Sequence, residues 1–257
     1  MAKQKKRNLG WKIFLYSGIA AALFMLGYTV YEYWLERRAK FVRYAAFGIE
    51  IPVAYSIHGI DVSRYQNIID WESVKEMQVD NIRIHFAFIK ATEGIGNHDP
   101  YFKRNWKRAK ESGMTRGAYH FFLATKSGKL QAENFIKKVD LEPGDLPPVL
   151  DVEQTYGVAP AKMRERVLEW LETVEAYYKV KPILYTNVEF YRFYLKDEFD
   201  SYPLWVAHYL QKERPRIHRD WTFWQHNEAG HVNGIRSYVD FNVFNGDSVQ
   251  FRELLLK

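Results

Sequence analysis

The chain contains no cysteine in its 257 residues. Disulfides and thiolate metal sites are excluded, while the compartment stays open on this criterion. No G-x-S-x-G elbow, Walker-type phosphate loop or H-E-x-x-H helix occurs, and the histidines show no metal-ligand spacing. No metal and no cofactor are expected. Internal repeats and low-complexity segments are absent as well. The net charge of +6 suggests an anionic partner until the charge is located. Lys3, Lys5, Lys6, Arg7 and Lys12 crowd the amino terminus without an acid, and beyond Lys40 basic and acidic residues balance. A folded part without net charge lacks the electrostatic footprint of a nucleic-acid binder, so nucleic acid is not an expected partner.

The basic cluster precedes Ile13 to Tyr31, a run without a charge that includes Ile19-Ala20-Ala21-Ala22-Leu23-Phe24-Met25-Leu26. A helix of ~20 apolar residues spans a bilayer core. Trp11 and Tyr16 stand at one edge and Tyr28, Tyr31, Tyr33 and Trp34 at the other, as in an interfacial belt. Lys and Arg before the span hold the amino terminus in the cytoplasm. Arg37, Arg38 and Lys40 beyond it weaken that bias without reversing it. The rival is a cleaved signal peptide, but its small-residue site at Ala20-Ala21-Ala22 sits mid-span. The expected organisation is a cytoplasmic segment (1–12), a retained single-pass anchor (13–34) in the cytoplasmic (inner) membrane and a connector (35–55) with breakers at Gly48 and Pro52. A catalytic domain (56–257) then follows on the periplasmic, extracytoplasmic side, expected to be monomeric.

With 47% hydrophobic residues the chain is not disordered, and its length suits a single α/β barrel. Strand-like runs at 58–63, 84–90, 116–122, 147–153, 181–187, 203–208, 221–226 and 238–243 alternate with helical patterns at 70–78, 100–112, 127–139, 160–178 and 188–195. A last helical pattern covers 247–256. Asp70 and Ser127 suit N-caps, and Pro160 suits a first helical turn. This alternation predicts an α/β fold with a parallel sheet, most economically a single TIM-like β/α barrel.

The run Pro147-Pro148-Val149-Leu150-Asp151-Val152-Glu153 ends in two carboxylates separated by one valine. Alternation along a strand points Asp151 and Glu153 the same way. Two adjacent acids repel, which raises one pKa, and a protonated acid beside an ionised one suits glycosidic bond cleavage. A solvated strand end or a salt bridge is the plainer alternative. Further acids close other strands at Asp61 and Asp240. Around them stand Tyr119, Tyr185, Trp205, Tyr209, Trp224 and Gln225, at the carboxyl ends where barrel enzymes place their sites. Sugar rings stack apolar C–H faces on such aromatics, although any one of them could equally be core.

The motifs Gly59-Ile60-Asp61-Val62-Ser63, Phe88-Ile89-Lys90-Ala91-Thr92-Glu93-Gly94 and Gly117-Ala118-Tyr119-His120-Phe121 occur in that order. Pro148–Glu153, Pro182-Ile183-Leu184-Tyr185-Thr186-Asn187, Trp205-Val206-Ala207, Trp224-Gln225 and Val239-Asp240-Phe241-Asn242 follow. Together they resemble the family 25 glycoside hydrolases, the Chalaropsis-type lysozymes, from about Ser56 onward. The resemblance implies a flattened, irregular β/α barrel that cleaves the β-1,4 bond between N-acetylmuramic acid and N-acetylglucosamine in peptidoglycan glycan strands. It implies an acidic quartet of Asp61, Asp151, Glu153 and Asp240, with Glu153 in the general-acid position. His226 after Trp-Gln and His208 after Trp-Val-Ala depart from the family pattern and would alter sugar subsites. Asp151 would assist the anomeric carbon as a nucleophile or by orienting the substrate's N-acetyl group. A hydrolase of another N-acetylhexosamine polymer, chitin-like, and a cell-wall glycan-binding module without turnover are the alternatives. His120 reads as a hydrogen-bonded barrel residue, and Lys90 with Glu93 as a structural ion pair.

Overall fold

The computed structural model describes residues 2–36, 41–209, 211 and 213–257, with side chains left aside at 2–9, 33–36 and 197. Arg37, Arg38 and Lys40, and the side chains of Lys3, Lys5, Lys6, Arg7, Tyr33 and Trp34, therefore lie outside the described part. Two compact units result, and they are taken separately.

The first contains a single helix, α1 (Ala2–Glu36), and also takes in Glu213 and Arg214. Its stretch Gly10–Glu32 has a mean hydropathy of 1.8 and is long and apolar enough to cross a membrane. At ~1.5 Å rise per residue such a stretch covers the ~30 Å of a hydrocarbon core. A signal sequence has the same properties.

The second unit begins at Phe41, where 35–55 was expected to be a connector. Its described part instead forms an antiparallel hairpin, β1 (Phe41–Tyr44) and β2 (Ile49–Pro52). Gly48 turns it at φ +71, a backbone conformation that favours glycine. The hairpin's apolar residues explain why it folds against the body: Phe47, Ile49 and Ile51 are buried.

Next come β3 (His58–Val62), α2 (Trp71–Glu76), the short β4 (Gln78–Val79), β5 (Ile82–Glu93), the short β6 (Asn97–His98) and α3 (Phe102–Glu111). The chain continues through β7 (Thr115–Phe121), α4 (Gly128–Ile136), β8 (Val149–Asp151), α5 (Pro160–Tyr178) and β9 (Ile183–Asn187). Then follow α6 (Val188–Phe190) with an adjoining π-turn, β10 (Leu204–Ala207), β11 (Phe223–Gly230), β12 (Val239–Phe244) and α7 (Ser248–Leu254). The expected caps form: Asp70 accepts from the Ser73 N–H, Ser127 from the Leu130 N–H, and Pro160 opens α5.

The sheet closes in the order β3-β5-β7-β8-β9-β10-β11-β12, with β12 pairing back to β3. The expectation of a wholly parallel barrel is corrected at one strand. β12 runs antiparallel to both β11 and β3. The connection 231–238 is too short for a parallel crossover, which needs about a dozen residues or more. Among the described residues no helix lies between β10 and β11 or between β11 and β12. The hairpin fills that place. Phe41 sits edge-on to Trp224 with ring centroids 5.9 Å apart, and Phe47 to Phe241 at 5.4 Å.

Aromatics fill the barrel. Phe88 stacks on Trp205 at 4.4 Å, and Phe86, Phe223 and Phe244 pack below them. Gly59 and Gly117 make this possible, because a Cβ at either would stand about 2.5 Å from the Phe86 or Phe88 ring. Phe251 on α7 closes the floor against Phe86 and Phe244. The opposite end, where the parallel strands finish, is left for polar side chains.

Candidate active site

Asp61 lies on β3 directly across from Asp240 on the antiparallel β12. The two carboxyls are hydrogen-bonded to each other. Asp151 ends β8 and is buried, and Glu153 follows two residues later, half-buried. The strand expected over 147–153 is thus shorter, and Glu153 sits beyond its end. Asp151 and Glu153 still act on one another, and Asp61 on both. The structure therefore gathers all four predicted acids at one end of the barrel.

Amides and hydroxyls hold this cluster. Asp61 Oδ2 accepts from Gln225 Nε2 at 2.7 Å and from Asn242 Nδ2 at 2.8 Å. Gln225 Oε1 accepts from the hydroxyls of Tyr185 (2.7 Å) and Tyr209 (2.5 Å). The Trp205 indole N–H donates to Asn242 Oδ1 at 2.8 Å. Lys90 Nζ pairs with Glu93 Oε2 at 2.6 Å, and its charge also reaches Asp151 and Glu153.

Burial penalises charge on carboxyls, and all four are displaced upward. Burial pushes Asp61 up to about 6, against the lowering effect of its amide donors and Asp240. Burial, then the charge of Asp61, pushes Asp240 up to about 9. Asp151 stands well above the usual carboxylate range through burial and the Glu153 charge, with Lys90 opposing. Glu153 is raised by burial, and the Tyr185 hydroxyl and Lys90 oppose that rise. The site consequently holds protons near neutrality and can serve as an acid.

The aromatics divide. Tyr209 is 37% exposed, while Tyr119 and Tyr185 are buried. Trp205 is a wall of the barrel interior and Gln225 is buried with its amide bonded to Asp61 and two tyrosines, so in this structure neither offers a free face to a sugar. Trp224 is the larger correction. It has no exposed surface and points outward beneath the hairpin, between Phe41, Tyr55 and Trp221. Alternation on β11 explains this, since Phe223 and Gln225 take the inner face. His226 is likewise buried on the outer side against Phe41, and His208 Nδ1 accepts from the Arg216 N–H. The departure at His226 therefore faces away from the acids.

His120 is the structural residue expected of it. Its ring contacts Thr92 Oγ1 (2.7 Å) and Gln131 Oε1 (3.2 Å), and burial lowers its pKa to about 3. Residue-by-residue reading missed Asn242, although the Asp240-Phe241-Asn242 alternation places it on the face of Asp240.

A closed α/β barrel with paired carboxyls at one mouth suits the acid-assisted cleavage of a glycosidic bond. The model for "Glycosyl hydrolases family 25" matches residues 60–235. The uncharacterized protein YegX of Escherichia coli K12 is 49% identical over 201 residues, covering 78% of this chain and 74% of that protein. Lysozyme M1 of Streptomyces globisporus is 34% identical over 217 residues, 77% of this chain and 71% of the relative. The structure of a family 25 glycosyl hydrolase from Bacillus anthracis superposes with a TM-score of 0.74 at 34% identity, covering 84% of this chain and all of the other. The chain belongs to glycosyl hydrolase family 25.

Proposed function

We propose that this chain is a membrane-anchored muramidase that hydrolyses the β-1,4 bond between N-acetylmuramic acid and N-acetylglucosamine in peptidoglycan. The observation that carries the reading is the meeting of Asp151 and Glu153 with the Asp61–Asp240 pair at one barrel mouth, in a member of this family. The likeness to Lysozyme M1 supports peptidoglycan as the substrate.

In this reading Glu153 is the general acid. Burial and repulsion leave the Asp151–Glu153 pair one proton and one charge rather than two charges. Glu153, the more exposed of the two, delivers that proton to the departing glycosidic oxygen. Asp151, left ionised, assists the anomeric carbon, either as nucleophile or by orienting the N-acetyl group. Tyr119, Tyr185 and Tyr209 border the sugar, with Tyr209 offering the most accessible ring. The barrel is read as a flattened, irregular relative of the TIM barrel.

Residues 1–12 form the cytoplasmic segment and 13–34 carry the retained single-pass anchor. The catalytic body, monomeric in this reading, starts at Phe41 on the extracytoplasmic side of the cytoplasmic membrane. The uncharged run at helix residues 13–31 and the basic residues before it support this orientation.

Digestion of purified peptidoglycan by the full-length protein, with mass analysis of the products, tests the chemistry. New reducing ends at muramic acid are expected. Ends at glucosamine, turnover of chitin alone, or an intact wall with bound protein would replace the reading with one of its alternatives. Retention in membranes after an alkaline wash tests the anchor, and a mature amino terminus near Leu23 would refute it.

A further inference from the structure

We infer that Asn242 and Gln225 are positioning residues that hold Asp61 as the standing anion of the site and leave the proton of the Asp61–Asp240 pair on Asp240. The inference rests on the reading of these acids as the reacting centre. It adds which of them carries charge, and why.

Donor counting leads there. Two carboxyls hydrogen-bonded to each other share one proton. An indole N–H can only donate, so the oxygen of Asn242, and not its nitrogen, faces Trp205. The amide is thereby locked with Nδ2 toward Asp61. Gln225 Oε1 accepts from two tyrosine hydroxyls, and its Nε2 donates to the same Asp61 oxygen. Gln225 and Asn242 are direct cross-strand partners, which lets both reach one atom. Asp61 Oδ2 thus receives two N–H donors, and both favour the ionised form of that carboxyl. Among the described residues Asp240 receives no such amide donor, and it faces the negative charges of Asp61, Glu228 and Glu153.

Other groups around Asp61 act on its charge without sharing this geometry. Glu153 from beyond β8 and Asp151 at its end repel it, while the Tyr119 and Tyr185 hydroxyls border it. Lys90 faces Asp151 and Glu153 from β5. Fixed amide dipoles that favour a carboxylate need no reorganisation during the reaction, which is the efficient form of electrostatic support. A permanent charge at Asp61 also opposes ionisation of Asp151, so it helps keep a proton in the neighbouring pair.

The test uses the full-length protein in detergent, with carbon-13 NMR titration of the aspartate carboxyls and a pH–rate profile on peptidoglycan. In the native chain Asp61 should ionise at lower pH than Asp240. Asn242→Leu removes the donor at nearly constant volume. It should move the Asp61 titration and the acidic limb of activity upward by about one pH unit, the scale of one charge-assisted hydrogen bond. KM should stay within about twofold while kcat falls, as for a group acting on the reacting centre rather than on binding. Trp205→Phe, which removes only the N–H that orients Asn242, should give the same shift in smaller measure. Gln225→Met provides the test if Asn242→Leu fails to fold.

Asp240 ionising before Asp61, or folded variants with unmoved titrations, would overturn the inference. A native chain that leaves peptidoglycan intact would instead refute the muramidase reading, and the carboxyl titrations would still decide the charge partition.

Discussion

Phe47→Ala probes the hairpin that stands where a connector was expected. The Phe47 ring has no exposed surface and packs 5.4 Å from Phe241 and 6.2 Å from Tyr44. Truncating a buried Phe to Ala costs about 3–5 kcal/mol, a large part of the ~5–15 kcal/mol that holds a domain folded. For a body of this size each kcal/mol lowers Tm by about 2–4 °C, so a fall of roughly 6–20 °C is expected. The cavity opens behind Phe241, which lies between Asp240 and Asn242 on β12. The strand should loosen where it carries those groups, and kcat should fall even well below Tm. Calorimetry of the full-length protein and initial rates at 20 °C (a temperature chosen to be about that of routine assays, below the expected melt) measure both effects. A fall in Tm under ~2 °C would mean that the hairpin is not part of the packed body, and the reasoning would fail.

Glu153→Gln keeps shape but removes the transferable proton, so kcat should fall by about 10²–10⁴ while binding to peptidoglycan in a pull-down assay survives. Asp151→Asn should also be severe, and it removes a repelling charge from Glu153. The Glu153 pKa then drops, so the upper limb of the residual pH–rate profile should move to lower pH; a stationary limb would contradict the coupling. Asp240→Asn should raise Tm at pH ~8 relative to the native chain but not at pH ~4. The sign follows from its folded pKa of about 9 lying above the unfolded value: the proton is held natively, and stability is lost as pH rises between the two. Equal Tm differences at both pH values in calorimetry would refute that account.

Much of the body was legible because its signals are local. Asp70, Ser127 and Pro160 mark helix starts through chemistry that acts within one turn. Apolar runs bounded by turns located every barrel strand, and the ordered motifs named the acids. The reversal of β12 was also readable, since 231–238 is too short for a crossover, but strand-like composition carries no direction. The hairpin was hidden because Gly48 and Pro52 read equally as breakers of a connector or as features of a turn and a strand end.

Sequence by itself determined the barrel's elements, the four carboxyls and the apolar helix at the amino terminus. It could say that Trp224 and Gln225 face opposite ways, because alternation is a property of the extended backbone. Only the closed barrel decided which way is inward, and so made Trp224 a support for the outer wall and Gln225 a ligand of Asp61. The charge pattern is tertiary for the same reason. The bonds that favour ionised Asp61 come from residues 164 and 181 positions away, and the burial that protonates Asp240 exists only once β12 lies against β3. A carboxyl's pKa records what surrounds it in space, and no local stretch of chain contains that.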